Sequence, residues 1–122
     1  MKLINDFYTI LSTESTEGSY ICKVRLNDRH DLFRVHFPGN PITPGVCLIQ
    51  MATEILEEKY RQAFMLHTAS SIKFKKTVGP HDEPTFIFTK ECFGDGKLST
   101  CVSIEDGQTQ YVKMSLQYTV VG

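Results

Sequence analysis

The hydrophobic positions of this 122-residue chain predict one long helix among segments that alternate like strands. From Pro44 to about Ala63, apolar side chains recur at three- and four-residue spacing, which is typical of a helix. Thr43 is a candidate N-cap for this helix, and Pro44 suits its first turn. A second apolar row runs beside the first, formed by Leu48, Met51 and Ile55. A helix that is apolar on so much of its circumference is predicted to be wrapped by other elements.

Elsewhere the period is two, which predicts strands. Two strands precede the helix, and the first segment after it is a lysine-bearing strand that ends near Val78. The predicted strands cover residues 7–11, 19–26, 72–78, 84–93, 97–105 and 109–121, with turns at Gly94-Asp95-Gly96 and Asp106-Gly107. A curved antiparallel sheet of five to six strands around one long central helix would bury the apolar faces of both. We therefore expect one α+β domain over residues 1–122.

Composition and charge exclude several classes of function. Thirteen basic and 14 acidic residues give a net charge of -1, so no overall field attracts nucleic acid or an anionic membrane. The four cysteines form no CxxC pair and no cluster with histidine at zinc spacing, so no metal site is expected. The chain has neither a convincing signal peptide nor about 20 consecutive apolar residues. These features predict a cytoplasmic protein that does not cross a membrane.

The segment most informative about chemistry lies immediately before the predicted helix. It reads His36-Phe-Pro-Gly-Asn-Pro-Ile-Thr-Pro-Gly-Val46, with three prolines and two glycines in eleven residues. This composition predicts a rigid, irregular loop that holds a side chain and a backbone amide in fixed positions. Because Pro44 has no N–H, Gly45 would offer the first free amide of the helix, where the helix dipole adds partial positive charge. Such an amide can polarise a thioester carbonyl while His36 removes a proton from the adjacent carbon.

This eleven-residue segment resembles the motif of the 3-hydroxyacyl-[acyl-carrier-protein] dehydratases of fatty acid synthesis. The resemblance extends to Phe33, to the helix and to the segment 72–78. It implies a hotdog fold and a homodimer whose two active sites are shared at the subunit interface, and it leaves assembly beyond the dimer open. In that family the histidine is the base, the glycine amide binds the thioester oxygen, and the acyl chain lies in an apolar tunnel. Here these roles correspond to His36 and Gly45, with Phe37 and Val46 as further substrate-binding residues.

The resemblance also implies a partner and the absence of a dedicated cofactor. The substrate would be carried on the phosphopantetheine arm of acyl carrier protein, and coenzyme A as carrier is left open. Three lysines, Lys73, Lys75 and Lys76, either form an ordinary exposed strand face or meet the acidic carrier protein. Acyl chain length and pathway do not follow from the sequence.

The chain departs from the family at the residue that supplies the acid. The acidic residue of the family falls at Gln50, and a glutamine cannot donate a proton as a general acid. Four residues later, where the family typically has glutamine, this chain has Glu54. Residues four apart share one helix face, so the pair looks exchanged, and Glu54 is a candidate proton source acting through Gln50 or a water molecule.

Three functions are therefore open. The first is a hydro-lyase that converts 3-hydroxyacyl thioesters to trans-2-enoyl thioesters, with His36, Gln50 and Glu54 as catalytic residues. The second is a non-catalytic acyl-thioester-binding or partner subunit that keeps the pocket and has lost the acid. The third is a hotdog acyl thioesterase, although a histidine in the rigid loop argues against it.

Overall fold

A computed structural model describes residues 2–35 and 39–122 of the protein. It contains one six-stranded sheet in the order β1-β2-β4-β5-β6-β3, and every pair of neighbouring strands is antiparallel. The elements in chain order are β1 (Tyr8–Thr16), β2 (Ser19–Leu26), α1 (Asp31–Val35), α2 (Gly45–Tyr60), β3 (Phe64–Phe74), β4 (Thr85–Gly94), β5 (Lys97–Asp106) and β6 (Thr109–Val120). The predicted α+β class, an antiparallel sheet of five to six strands around a central helix, is confirmed, with six strands and a helix of 16 residues.

Helix α2 is enclosed along most of its length, as its apolar pattern predicts. Every residue from Met51 to Leu56 is buried, including the acidic Glu54. The helix has 16 residues and ends at Tyr60, three residues before the predicted end. Arg61 stops it by adopting a left-handed conformation at φ 50°, and its amide donates to the carbonyl of Glu57.

The start of α2 differs from the prediction at the capping residue. Pro44 occupies the N-cap position, with φ -60° and ψ 146°, and Gly45 is the first helical residue. The prediction of Thr43 as N-cap is wrong because Thr43 lies one residue too early, so its hydroxyl makes no cap hydrogen bond. The Thr43 amide instead donates to the carbonyl of Val78 at 2.7 Å, which ties the loop to the segment after β3.

Strand β3 forms an edge of the sheet and begins eight residues earlier than predicted. It runs from Phe64 to Phe74 beside β6, whereas the prediction placed the strand at 72–78. Beyond Phe74 the chain leaves the sheet, and the amides of Lys75 and Lys76 both donate to the carbonyl of Tyr111. Several large apolar side chains of β3 are exposed within the protomer, namely Met65, Leu66, Ile72 and Phe74.

The short helix α1 was not predicted, because five residues carry too little periodicity to be detected. His30 precedes it, and its Nδ1 accepts the Leu32 amide at 3.0 Å. Phe33 then packs on Phe7, with ring centroids 5.1 Å apart. The core of the protein therefore includes the segment that leads directly to the motif residues.

Candidate active site

A groove of about 380 Å³ opens at the N-terminus of helix α2. One wall is the loop that enters the helix, and the other is the chain that leaves β3. The groove is lined by Ile42, Thr43, Gly45, Leu48, Phe74, Lys75, Lys76, Thr77 and Val78. The motif residues His36 and Phe37 lie outside the residues that the structure describes. Gly45, predicted to bind the substrate, lines this groove.

Gly45 lies in close contact with the ring of Phe74. A Cβ at position 45 would stand 2.8 Å from Phe74 Cζ and 3.1 Å from Cε1, closer than normal carbon contacts. The Phe74 side chain is 59% exposed in the protomer and does not belong to its core. Phe93 is exposed as well, whereas Phe86 and Phe88 are buried. Phe74 is a groove residue that the sequence pattern does not identify.

The first turn of α2 has unused hydrogen-bond donors. Cys47 and Leu48 donate their amides to the carbonyl of Pro44, at 3.0 and 3.2 Å. The amides of Gly45 and Val46 have no acceptor within the described ranges. The side chain of Val46, another predicted substrate-binding residue, is 68% exposed at this end of the helix. The N-terminus of α2 thus presents partial positive charge to a ligand in the groove.

Gln50 and Glu54 form a hydrogen-bonded pair on one face of α2, as their spacing predicts. Gln50 Nε2 donates to Glu54 Oε2 at 2.8 Å, which fixes the orientation of the glutamine amide. The pair does not line the groove at Gly45 in the same protomer. Along the helix axis, Gln50 is about 7.5 Å and Glu54 about 13.5 Å beyond Gly45. Within one protomer, neither Gln50 nor Glu54 therefore contributes to the lining of this groove.

The carboxylate of Glu54 is buried and surrounded by donors from its own chain. Its Oε2 accepts the Leu3 amide at 2.8 Å, in addition to Gln50. Its Oε1 accepts the Ile4 amide at 2.8 Å and the hydroxyl of Tyr8 at 3.0 Å. The side chain is only 2% exposed. The two oxygens therefore accept four hydrogen bonds, which together offset the cost of burying a charge.

This arrangement makes Glu54 a hydrogen-bond acceptor that fastens the N-terminal segment to the central helix. In all four of its hydrogen bonds the carboxylate is the acceptor, and two of the donors are backbone amides of the N-terminal segment. Nothing in the sequence pairs Glu54 with residues fifty positions earlier, so this anchoring was not predicted. Because Glu54 also accepts the hydrogen bond from Gln50, the contacts that fix the carboxylate fix the position of the glutamine as well.

The structure also bears on two other features, a metal-binding site and a membrane-spanning helix. Within residues 2–35 and 39–122, no group of three or more histidine, cysteine, aspartate or glutamate side chains is placed to hold a metal ion. In the same ranges, no helix has the length and apolar character needed to cross a membrane.

Comparison with known proteins gives matches in sequence and in structure. Residues 12–109 match the family described as ApeI-like, ApeI dehydratase. The 3-hydroxyacyl-[acyl-carrier-protein] dehydratase FabZ of Lactobacillus helveticus is 33% identical over 120 residues, covering 87% of this chain and 81% of that protein. FabZ of Levilactobacillus brevis is 32% identical over 94 residues, covering 67% of this chain and 64% of that protein.

The solved structures that match share the fold at low sequence identity. The dehydratase heterocomplex ApeI:P from Xenorhabdus doucetiae matches with a TM-score of 0.70 and 15% identity, covering 90% of this chain and 96% of that chain. A hypothetical thioesterase with coenzyme A from Streptococcus pneumoniae matches with a TM-score of 0.66 and 15% identity, covering 98% and 92% of the two chains. Likeness at this level of identity identifies the fold alone.

The wrapped helix and the strand order define a hotdog-fold protein. Within that class, the chain belongs to the ApeI-like dehydratase family, whose model matches 12–109.

Removing the Glu54 side chain is expected to destabilise the protein strongly. In Glu54→Ala, two backbone amides, Tyr8 and Gln50 lose their shared acceptor, and we expect a loss of about 3–5 kcal/mol in the free energy of unfolding. Glu54→Gln should behave similarly, because its NH₂ group would face other donors. Urea denaturation measures both, and hydrogen exchange should show faster exchange at the amides of Leu3 and Ile4. The control is Glu58→Ala, on an exposed position of the same helix. A Glu54→Ala protein as stable as this control would contradict the anchoring role.

Tyr8 should contribute to a loss of stability at alkaline pH. Burial raises the pKa of Tyr8 above its ordinary value, and the charge of Glu54 and the hydrogen bond to it raise it further. The folded protein therefore holds this proton more tightly than the unfolded chain. The resulting stability is complete below about pH 10 and is lost as the pH rises above that value.

Tyr8→Phe isolates this contribution because all other tyrosines remain. At pH 7 the variant should be less stable by about 1.5–3 kcal/mol, the value of one hydrogen bond to a charged group. Above pH 10 its stability should fall less steeply than that of the wild type, by up to about 1.4 kcal/mol per pH unit. Urea denaturation at a series of pH values measures both curves. Parallel curves above pH 10 would contradict the assignment.

Proposed function

We propose that this protein dehydrates 3-hydroxyacyl thioesters to trans-2-enoyl thioesters. The observation that carries the proposal is the open N-terminus of α2, where the Gly45 amide has no acceptor within the described ranges and lines a groove directly after the motif loop. Membership of a dehydratase family supports the same chemistry. The proposal assigns the thioester oxygen to Gly45 and the proton transfer at the neighbouring carbon to His36.

The reaction would proceed with His36 as base. Its imidazole takes the α-proton, and the negative charge that develops on the thioester oxygen is stabilised by the Gly45 amide and the helix dipole. The double bond then forms between the α- and β-carbons as the β-carbon–oxygen bond breaks. The departing hydroxyl takes a proton and leaves as water, so the product is the enoyl thioester.

This chain differs from the dehydratase motif at the step in which the departing hydroxyl is protonated. Glu54 accepts four hydrogen bonds, and Gln50 has no acidic proton. The imidazolium formed on His36 is an acid within the same site and returns the proton without help from a carboxyl group. In this mechanism Gln50 orients the hydroxyl, and Glu54 positions Gln50.

We propose a homodimer as the active assembly and acyl carrier protein as the substrate carrier. The edge strand β3 exposes apolar side chains that a second β3 would cover, and pairing there would also join the two sheets. Lys75 and Lys76 line the groove at Gly45, and the exposed Lys73 precedes them. Three lysines beside the groove fit an acidic carrier protein that delivers its phosphopantetheine arm there.

A second candidate is a dehydratase-like subunit that binds acyl thioesters without turning them over alone. The observation that favours it is the occupied carboxylate of Glu54, which leaves the helix face without a proton donor of the usual kind. The solved ApeI:P assembly, at 15% identity, is described as a dehydratase heterocomplex. In this alternative a different hotdog chain would supply the acid at the position of Gln50.

Turnover of a 3-hydroxyacyl-pantetheine thioester separates these functions. We expect wild-type protein to form the enoyl product and His36→Ala to lose at least about 10²-fold in rate, because the base is removed. Enoyl absorbance and free thiol are followed in the same reaction. Release of thiol without enoyl would replace the proposal with a thioesterase, and binding without either product would replace it with the partner subunit.

Gln50→Glu provides a second arm of the same assay. A carboxyl group at position 50 would lie about as close to Glu54 Oε2 as the present amide, at 2.8 Å. A carboxyl group at this position can carry and donate a proton, which the glutamine cannot do. The rate should rise if proton delivery limits turnover, and Gln50→Ala is the control that removes the side chain altogether.

Gly45→Ala should impair turnover while leaving the fold intact. The added methyl group would stand 2.8 Å from Phe74 Cζ and would cover the amide that receives the thioester oxygen. The close atoms belong to a side chain outside the core of the protomer, so we expect the unfolding midpoint to change little and kcat/KM to fall at least about tenfold. The control is Gly94→Ala, whose Cβ would meet nothing within 4 Å. Equal activity in the two variants would exclude the Gly45 amide as the thioester-binding donor.

A further inference from the structure

Thr43 has a buried hydroxyl without a hydrogen-bond partner in the groove at Gly45. The residue is 4% exposed, and its Oγ1 is shielded from solvent with no partner among the described residues. A buried hydroxyl that makes no hydrogen bond destabilises the folded protein. Valine has nearly the same shape and would carry no such penalty. The structure without a ligand therefore gives no reason for a hydroxyl at this position.

The local backbone prevents the hydroxyl from serving the helix. Pro44 stands between Thr43 and the first helical residue and takes the N-cap position. The Thr43 amide is fixed by its bond to the Val78 carbonyl at 2.7 Å, so the residue cannot shift toward the helix without breaking that bond. The hydroxyl is therefore held beside the groove by the same contacts that form the wall.

Thr43 and Gly45 line the same groove from adjacent positions in the chain. Their Cα atoms are two residues apart and thus separated by at most about 7 Å. A ligand held at the Gly45 amide would therefore lie beside Thr43. The Phe74 ring packs on Gly45 at this corner of the groove and lies outside the buried core of the protomer.

We propose that the Thr43 hydroxyl donates a second hydrogen bond to the carbonyl oxygen of the acyl thioester bound at Gly45. This inference rests on the proposed function, because it specifies how the same groove holds its substrate. The bond strengthens as negative charge develops on that oxygen, so the hydroxyl contributes more to the transition state than to substrate binding. No covalent step involves Thr43.

Thr43→Val tests the proposal through two readouts that change in opposite directions. Removing an unsatisfied hydroxyl should raise the unfolding midpoint of the unliganded protein by roughly 4 °C. The same substitution should lower kcat for a 3-hydroxyacyl-pantetheine thioester by about 10²-fold, with a smaller change in KM. Thr43→Ser, which keeps the hydroxyl, should retain most of the wild-type kcat. A Thr43→Val protein that is more stable and fully active would overturn the proposal.

Binding measurements keep this test separate from the test of the proposed function. If the wild type turns over and Thr43→Val equals it, the Thr43 contact is refuted and the dehydratase function stands. If the wild type does not turn over, calorimetry with the same thioester still compares the two proteins. At least a tenfold weaker affinity in Thr43→Val supports the contact without the catalytic function, and equal affinity refutes the contact as well.

Discussion

The open N-terminus of a buried helix is the constraint on which the account of this protein depends. Helix α2 is enclosed over its central turns, so its dipole lies in a protein environment, and its first amides reach a groove at the surface. Pro44 at the N-cap provides no side-chain acceptor for those amides. The folded chain therefore leaves these donors open to solvent or to a ligand in the groove beside Phe74.

The position of Glu54 changes how the departure from the dehydratase motif is understood. Exchange of an acidic residue and a glutamine along one helix face could simply move a proton donor by one turn. Instead, the carboxylate binds Leu3, Ile4 and Tyr8, so the acidic residue has become part of the fold. In the proposed mechanism, the glutamine held by that carboxylate orients the hydroxyl, and His36 carries out both proton transfers.

Much of the architecture follows from local sequence. Gly94-Asp95-Gly96 and Asp106-Gly107 mark the hairpins of β4 to β6, and the doubled apolar rows mark α2 as enclosed. The i, i+4 spacing also predicts that Gln50 meets Glu54. Thr43 as N-cap was wrong because a threonine and a following proline compete for that position, and only the backbone angles decide between them.

The remaining features depend on contacts between distant parts of the chain. Glu54 is buried because residues near position 3 come to it from fifty positions away, and no pattern around Glu54 indicates this. Phe74 looks like a core residue in sequence, yet it ends the edge strand and packs on Gly45. The hydroxyl of Thr43 has meaning only once the groove is known, since the same residue reads as an ordinary cap in the sequence.

A crystal structure with a stable substrate analogue would test the central claim most directly. The analogue is a 3-hydroxyacyl-pantetheine in which an amide replaces the thioester, so that the carbonyl oxygen is kept. We predict that this oxygen lies about 3 Å from the Gly45 nitrogen, with the His36 imidazole facing the α-carbon. An analogue bound elsewhere, with the N-terminus of α2 unoccupied or the His36 ring turned into the interior, would contradict the account.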